Sequence, residues 1–78
     1  MDEHLLVRRD GSIVIVTFNR PAVYNAMTLD MYARLATICR EANEDRSVRA
    51  VVLTGAGKAF VAGTDIAEFR AFDSACLL

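Results

Sequence analysis

The chain has 78 residues, of which 54% are hydrophobic and 24% are charged, and it contains a single proline. This composition is far from that of disordered chains, so we expect the chain to fold around a thin core. Its nine basic and ten acidic side chains are intermixed along the sequence, which excludes the single-signed surface that draws nucleic acid or anionic lipid.

The N-terminus is acidic where a secretory signal peptide is basic, and no apolar run approaches the ~20 residues that span a membrane. The two cysteines, Cys39 and Cys76, lack metal-ligand spacing and are too few for a disulfide framework. The sequence therefore predicts a soluble intracellular protein, in the cytoplasm or the mitochondrial matrix. We expect no nucleic-acid partner, no membrane partner and no metal site.

The first elements in chain order are two strands that form a hairpin. Leu5 to Arg9 and Ile13 to Phe18 are short apolar runs, and the Asp10-Gly11 pair between them is a strong turn signal. The second run is apolar at almost every position, which is typical of a strand inside a sheet that is covered on both faces. Pro21 then ends the strand pattern, because proline has no N–H for the ladder.

An amphipathic helix follows. Thr28 is a good N-cap residue, and Asp30 places a negative charge in the first turn. Met31 stands where a capping box carries Glu or Gln, so we expect that reinforcement to be absent. Apolar residues at spacings of three and four predict a helix of about four turns, and these residues are Met31, Tyr32, Leu35, Ile38, Cys39 and Ala42.

A second buried strand, Val48 to Thr54, leads into Gly55-Ala56-Gly57. Strand, helix and strand make a βαβ unit, which is almost always a right-handed crossover between parallel strands. The predicted fold class is therefore α/β, with a β-hairpin followed by a right-handed βαβ unit. Asp65 to Ala71 has the pattern of a further helix.

The glycine-rich segment 53–66, LTGAGKAFVAGTDI, is where we expect a site. Ligands of α/β proteins bind beyond the carboxyl ends of the strands, and glycines let a loop bring backbone N–H groups close to a ligand. The alternative is that Gly55, Gly57 and Gly63 only end the strand and turn the loop.

Two nucleotide-binding motifs fail on spacing. A P-loop needs a glycine where Val52 stands and a serine or threonine where Ala59 stands. A dinucleotide fingerprint that begins at Gly55 needs a glycine or alanine where Phe60 stands. The segment is therefore neither of these phosphate-binding loops.

Two motifs flank the amphipathic helix: residues 19–27, NRPAVYNAM, and residues 48–65, VRAVVLTGAGKAFVAGTD. Together, in this order and at this separation, they resemble the crotonase superfamily, the enoyl-CoA hydratase/isomerase family. The resemblance runs from about Leu6 to Phe69. It implies the N-terminal part of a crotonase-like spiral fold, with residues 1–78 as an incomplete domain and residues 73–78 as a tail outside the family.

The resemblance implies an acyl-CoA thioester as the ligand, with coenzyme A as part of the substrate rather than a separate cofactor. Thr64 would supply one backbone N–H of an oxyanion hole, which stabilises the negative charge of a thioester enolate. Threonine replaces the commoner alanine there, and the backbone donor is unaffected. Ala62 would meet the adenine end of coenzyme A, Ala26 would line the pantetheine channel, and Gly63 would allow close approach.

Many family members carry lysine or arginine where this chain has Tyr24. A basic contact to the coenzyme A phosphate would therefore come from Lys58 or Arg20, although an exposed lysine beside a turn is more often only solvated. Asp65 is expected to cap the following helix rather than to touch the ligand.

The family's second oxyanion donor and its catalytic glutamates lie farther along than this chain extends. Glu68 is expected to be a surface residue, and His4 to lie in a frayed terminus. We find no pairing of a nucleophile with a base in the sequence, and no residue that general acid–base catalysis could use.

Two functions stay open. The first is the acyl-CoA-binding part of a hydratase or isomerase whose full-length form is a homo-trimer or hexamer, as family members generally are. The second is a truncated, inactive isoform that binds acyl-CoA weakly or acts as a protein-interaction module, with an uncovered apolar face that invites association. The run from Arg70 to Leu78 ends without a helix stop signal, which favours an interrupted chain.

Overall fold

The computed structural model describes residues 4–64, which form a three-stranded mixed sheet and one long helix. The elements are β1 (Leu5–Asp10), β2 (Ile13–Phe18), a 3₁₀ turn (Pro21–Val23), α1 (Leu29–Glu44) and β3 (Ala50–Gly55). The predicted helix from Asp65, the tail at residues 73–78, Glu68 and Cys76 lie outside the described residues.

β2 is the central strand of the sheet, whose order is β1-β2-β3. It pairs with β1 in antiparallel fashion and with β3 in parallel fashion. The hairpin, the parallel pair joined by α1 and the α/β class are therefore confirmed. β3 begins at Ala50, two residues later than predicted, because the Val48 N–H bonds the Asp45 carbonyl at 3.0 Å in a turn.

The core lies between the sheet and α1. Its buried side chains are those of Leu5, Val16, Phe18, Met27 and Met31. Strand side chains alternate between faces, so the other face carries Leu6, Ile13 and Val52, which are 47%, 36% and 43% exposed. Among the described residues, β2 is therefore covered only on the face that packs against α1, and not on both faces as its sequence predicted. The opposite face is the exposed apolar face that we expected.

The N-terminus of α1 corrects one prediction. The Thr28 Oγ1 accepts a hydrogen bond from the Met31 N–H at 3.2 Å, as expected of an N-cap. The capping box is also complete, because the Met31 Sδ accepts from the Thr28 N–H at 3.4 Å. A thioether sulfur is a weak acceptor, so a sequence rule that counts only the oxygens of Glu and Gln overlooks it.

Two residues of the predicted apolar stripe of α1 are exposed. Cys39 and Tyr32 are exposed, whereas Leu35 and Ile38 pack partly against the core. The prediction that Cys39 is a packing residue is therefore wrong, because a sheet of three strands is too narrow to cover the whole stripe. Within the described residues, no helix has the length and hydrophobicity needed to cross a membrane.

The N-terminal end is better held than predicted. The His4 carbonyl accepts a hydrogen bond from the Asn19 N–H at 2.7 Å, which continues the hairpin ladder beyond Leu5. The backbone at His4 is thus paired rather than frayed.

A polar cluster joins β1 to the end of α1. The Asp45 Oδ1 accepts from the Ser47 hydroxyl at 2.6 Å and from the Ser47 N–H at 2.8 Å. The Arg9 guanidinium lies 3.7 Å from the Asp45 Oδ2 and also donates to the Ser47 Oγ at 2.8 Å. The Ser47 hydroxyl, the Ser47 N–H and the charge of Arg9 lower the pKa of the Asp45 carboxyl.

We expect NMR titration to find the pKa of Asp45 below the ordinary aspartate value, and S47A to raise it, because the hydroxyl is its strongest stabilising contact. A carboxyl group whose pKa is lower in the folded than in the unfolded state stabilises the fold at pH values above the unfolded-state pKa. This stabilisation is lost as the pH falls through the folded-state pKa. The S47A chain should therefore lose less stability on acidification. S12A, in the hairpin turn, is the control, and an unchanged Asp45 titration in S47A would contradict the assignment.

Candidate functional site

Two loops meet beyond the carboxyl ends of the parallel strands β2 and β3. The β2–α1 loop comprises residues 19–28, and the glycine loop comprises residues 56–64. The Ala56 N–H bonds the Phe18 carbonyl at 2.8 Å where the glycine loop begins. Where it ends, the Met27 N–H bonds the Gly63 carbonyl at 2.8 Å, and Met27 and Thr64 form a parallel bridge. The glycine-rich segment therefore lies at the predicted edge of the sheet.

The side chain of Asn25 fastens the two loops together. Its Nδ2 donates to the carbonyls of Ala56 at 2.9 Å and Ala59 at 2.7 Å, and its Oδ1 accepts from the Arg20 N–H at 2.7 Å. Asn25 is fully buried and has a left-handed backbone with φ of 61°, which asparagine tolerates better than most residues. Both amide hydrogens are thus used within the protein.

Sequence reasoning did not single out Asn25. An asparagine just before the helix cap is a turn signal at most. Its carbonyl partners lie 31 and 34 residues away, and no local pattern shows them.

Asn25→Ala should lower the free energy of unfolding by about 2 kcal/mol, because it leaves three partly buried backbone groups without their partner and keeps a left-handed backbone. Urea denaturation measures this change. The matched control is Asn43→Ala, on the exposed end of α1, which should be close to neutral. Equal midpoints for the two variants would show that Asn25 does not join the loops.

The glycine loop folds back tightly onto the end of β3. A Cβ atom on Gly55 would lie 2.3 Å from the Ala59 carbonyl oxygen and 2.5 Å from that of Phe60, so this position excludes any side chain. The Phe60 ring meets the Phe18 ring edge-on, with centroids 5.4 Å apart. The loop is therefore held against the end of β2 as well.

The peptide group between Gly63 and Thr64 has a defined direction. Its carbonyl points to the Met27 N–H. The described part of the chain contains no cis peptide, and the C=O and N–H of a trans peptide point in opposite directions. The Thr64 N–H is therefore directed away from the β2–α1 loop, and no backbone carbonyl of the described residues accepts from it. Gly63 has φ of 107°, a value that residues with a side chain rarely adopt.

The side chain of Thr64 makes a separate contact with α1. Its Oγ1 lies 2.8 Å from the Tyr32 phenolic oxygen, and either hydroxyl can be the donor. Both side chains are exposed. Sequence reasoning placed Tyr32 on the apolar stripe and missed this contact.

Four of the predicted site residues lie at or beside the bridge. Gly63 and Thr64 face Met27 directly, Ala62 is exposed next to Gly63, and Ala26 precedes Met27 and is half-buried. Their proximity supports a common site, whereas their roles toward a ligand stay predictions.

The candidate basic residues differ from one another. Arg20 donates from Nη1 to the Ala26 carbonyl at 2.8 Å and so holds the β2–α1 loop. Lys58 is exposed on the Gly57-Lys58 turn. Tyr24 is 61% exposed, with φ of 55°. Of the two basic residues, Lys58 is the better candidate for contact with an incoming phosphate.

The parallel pair of β2 and β3, with two loops meeting at its carboxyl ends, places the chain among α/β proteins, whose ligands bind at that edge of the sheet. The enoyl-CoA hydratase/isomerase family model matches residues 8–75. The chain belongs to this family, and the predicted resemblance to its N-terminal part is confirmed.

Individual relatives agree with the family match. The chain is 40% identical over 68 residues to the short-chain-enoyl-CoA hydratase of Clostridium acetobutylicum, which covers 86% of this chain and 26% of that protein. It is 43% identical over 63 residues to 3-hydroxyisobutyryl-CoA hydrolase 1 of Arabidopsis thaliana, which covers 81% of this chain and 17% of that protein. The chain therefore spans about a quarter or less of the length of these curated relatives.

Solved structures show the same fold. The enoyl-CoA hydratase/isomerase of Marinobacter aquaeolei is 45% identical with a TM-score of 0.85, and the match covers 94% of this chain and 28% of that one. The enoyl-CoA hydratase/isomerase of Mycobacterium paratuberculosis is 36% identical with a TM-score of 0.85, and the match covers 96% and 30%. The described sheet and helix are thus a portion of the crotonase fold.

Proposed function

We propose that this chain carries the acyl-CoA-binding segment of an enoyl-CoA hydratase/isomerase-like enzyme, and that the Thr64 N–H is one donor to the thioester oxygen. The observation that carries the proposal is the orientation of the Gly63–Thr64 peptide group. Met27 holds the Gly63 carbonyl, so the Thr64 N–H is directed away from the β2–α1 loop. A donor that is already oriented stabilises developing negative charge without reorganisation.

The residues around the bridge suit a coenzyme A thioester. Ala26 and Ala62 have small side chains, so they can form walls for the pantetheine and adenine portions, and Gly63 adds no side chain between them. The exposed Lys58 would supply a positive charge for the phosphate. Coenzyme A enters in this proposal as part of the substrate.

The proposed common step is stabilisation of the thioester oxygen. The hydratase and the hydrolase named above match this chain at 40% and 43% identity. Negative charge builds on the same oxygen when an enolate or a tetrahedral species forms, so one backbone donor serves either reaction. We therefore propose this step and not a particular reaction of the family.

A single donor is half of an oxyanion hole. General acid–base catalysis also needs a titrating side chain within reach of the substrate, and we assign that group and the second donor to parts of a full-length protein outside residues 4–64. A full-length form is predicted to assemble as a homo-trimer or hexamer.

Because the chain matches only a part of its relatives, a second function is favoured for the 78-residue chain by itself. A chain that covers 26% of a hydratase can bind acyl-CoA without turning it over, or can act as a protein-interaction module. The exposed face with Leu6, Ile13 and Val52 would be the interacting surface in that case.

NMR titration of the 78-residue chain tests the proposed donor. Acetyl-CoA should move the Thr64 amide proton downfield, because the thioester oxygen accepts its hydrogen bond, whereas free coenzyme A should not. The Gly11 amide, in the hairpin turn, is the internal control. Equal shifts with both ligands, or none with acetyl-CoA, would refute the donor role.

A crotonyl-CoA hydration assay tests whether the chain carries an acid–base group of its own. We expect no turnover above background from the 78-residue chain, because a single backbone donor supplies no acid or base. Turnover that Glu68→Gln abolishes would show that the chain carries its own acid–base group.

A further inference from the structure

The contact between the Tyr32 and Thr64 hydroxyls joins α1 to the end of the glycine loop. The two oxygens are 2.8 Å apart, and the residues are 32 positions apart in the sequence. We infer that Tyr32 is a positioning residue, which orients the Thr64 backbone N–H through this hydrogen bond. The inference rests on the donor role proposed above and adds a specific residue to it.

Thr64 needs a second attachment because of what precedes it. Gly63 has φ of 107°, and within residues 4–64, its chain neighbours aside, no atom lies within 4 Å of where its Cβ would be, so none of these residues packs against that side of Gly63. The hydrogen bond from Met27 fixes where the Gly63 carbonyl points. A single hydrogen bond of this kind permits the Gly63–Thr64 peptide plane to rotate about the axis that joins the Met27 nitrogen to the Gly63 oxygen. A second hydrogen bond, between the Thr64 side chain and α1, restricts this rotation.

Tyr32 is well placed to provide that attachment. Its own N–H bonds the Thr28 carbonyl at 3.1 Å in the first turn of α1. The neighbouring Met31 is completely buried and closes the capping box. The phenol ring therefore extends from a fixed helical turn. Tyr32 is itself 41% exposed, so its hydroxyl contact, rather than core packing, distinguishes it from a phenylalanine.

The Thr64 side chain supplies the hydroxyl that Tyr32 contacts. An alanine would keep the backbone N–H but would have no hydroxyl for Tyr32. Threonine supplies the hydroxyl, and its branched Cβ restricts χ1. Tyr32 and Thr64 thus act as a matched pair, and the effect of losing one should depend on the presence of the other.

Calorimetric titration of the 78-residue chain with acetyl-CoA and with free coenzyme A tests the inference. Y32F removes only the phenolic oxygen. It should reduce the preference for acetyl-CoA roughly two- to tenfold, as expected for one hydrogen bond, and leave the affinity for coenzyme A and the urea midpoint unchanged. T64V should reduce the preference for acetyl-CoA by a similar factor, and T64S, which keeps the hydroxyl, should reduce it less than T64V does.

The double variant Y32F/T64V should lose no more than either single variant, because both remove the same bond. Losses that add would overturn the inference, and so would a native preference that survives in Y32F. A native chain that binds both ligands equally would instead overturn the proposed donor role, and the inference with it.

A ligand-free measurement gives a second test. Backbone ¹⁵N relaxation should show increased motion of the Thr64 amide in Y32F, with no change at Gly11. Unchanged Thr64 relaxation in Y32F would overturn the inference whatever the binding data show.

Discussion

The buried amide of Asn25 is the interaction on which the rest of the candidate site depends. The two loops at the carboxyl ends of β2 and β3 contain backbone groups that would be unpaired inside the protein, and Asn25 satisfies three of them, at Arg20, Ala56 and Ala59. Unpaired buried groups are costly, and a side chain that supplies two donors and one acceptor at once is a compact solution. Asn25 thus fixes the first half of the glycine loop against the β2–α1 loop, and Met27 of the same β2–α1 loop holds its end.

The chemistry that we propose for the site uses the main chain. A backbone donor requires the right conformation rather than a particular side chain, which is why glycine and alanine surround it and why threonine is acceptable at position 64. Orientation then becomes the quantity to control. Met27 holds the carbonyl of the Gly63–Thr64 peptide group through a backbone hydrogen bond, and the Tyr32 hydroxyl contacts the side-chain hydroxyl of Thr64. Family membership agrees with this arrangement, since both site motifs fall within the matched residues 8–75.

The hairpin, α1 and the parallel pairing of β3 could be predicted because each has a local signal: a glycine turn, a helical period, or an apolar run that ends in glycine. The interactions that were missed involve partners distant in sequence or unusual in chemistry. The sulfur of Met31 acts as a cap acceptor, which no oxygen-based rule includes. Cys39 fits the helical stripe, but its exposure depends on the width of the sheet below it. Asn25 and Tyr32 act across separations of 31 to 34 residues, and the identity of one partner does not predict the other.

The same long separations have a consequence for how the site comes into being. Contacts that close loops of this length form late in folding, after local hairpins and helices, because chain entropy opposes them until the surrounding elements are in place. The Asn25 bonds and the Met27–Thr64 bridge both require that β2 and β3 are already side by side. The geometry of the proposed site therefore exists only in the folded chain. A ligand that bound the proposed site would, by mass action, shift the folding equilibrium toward the native state, so that binding and folding would form one coupled equilibrium.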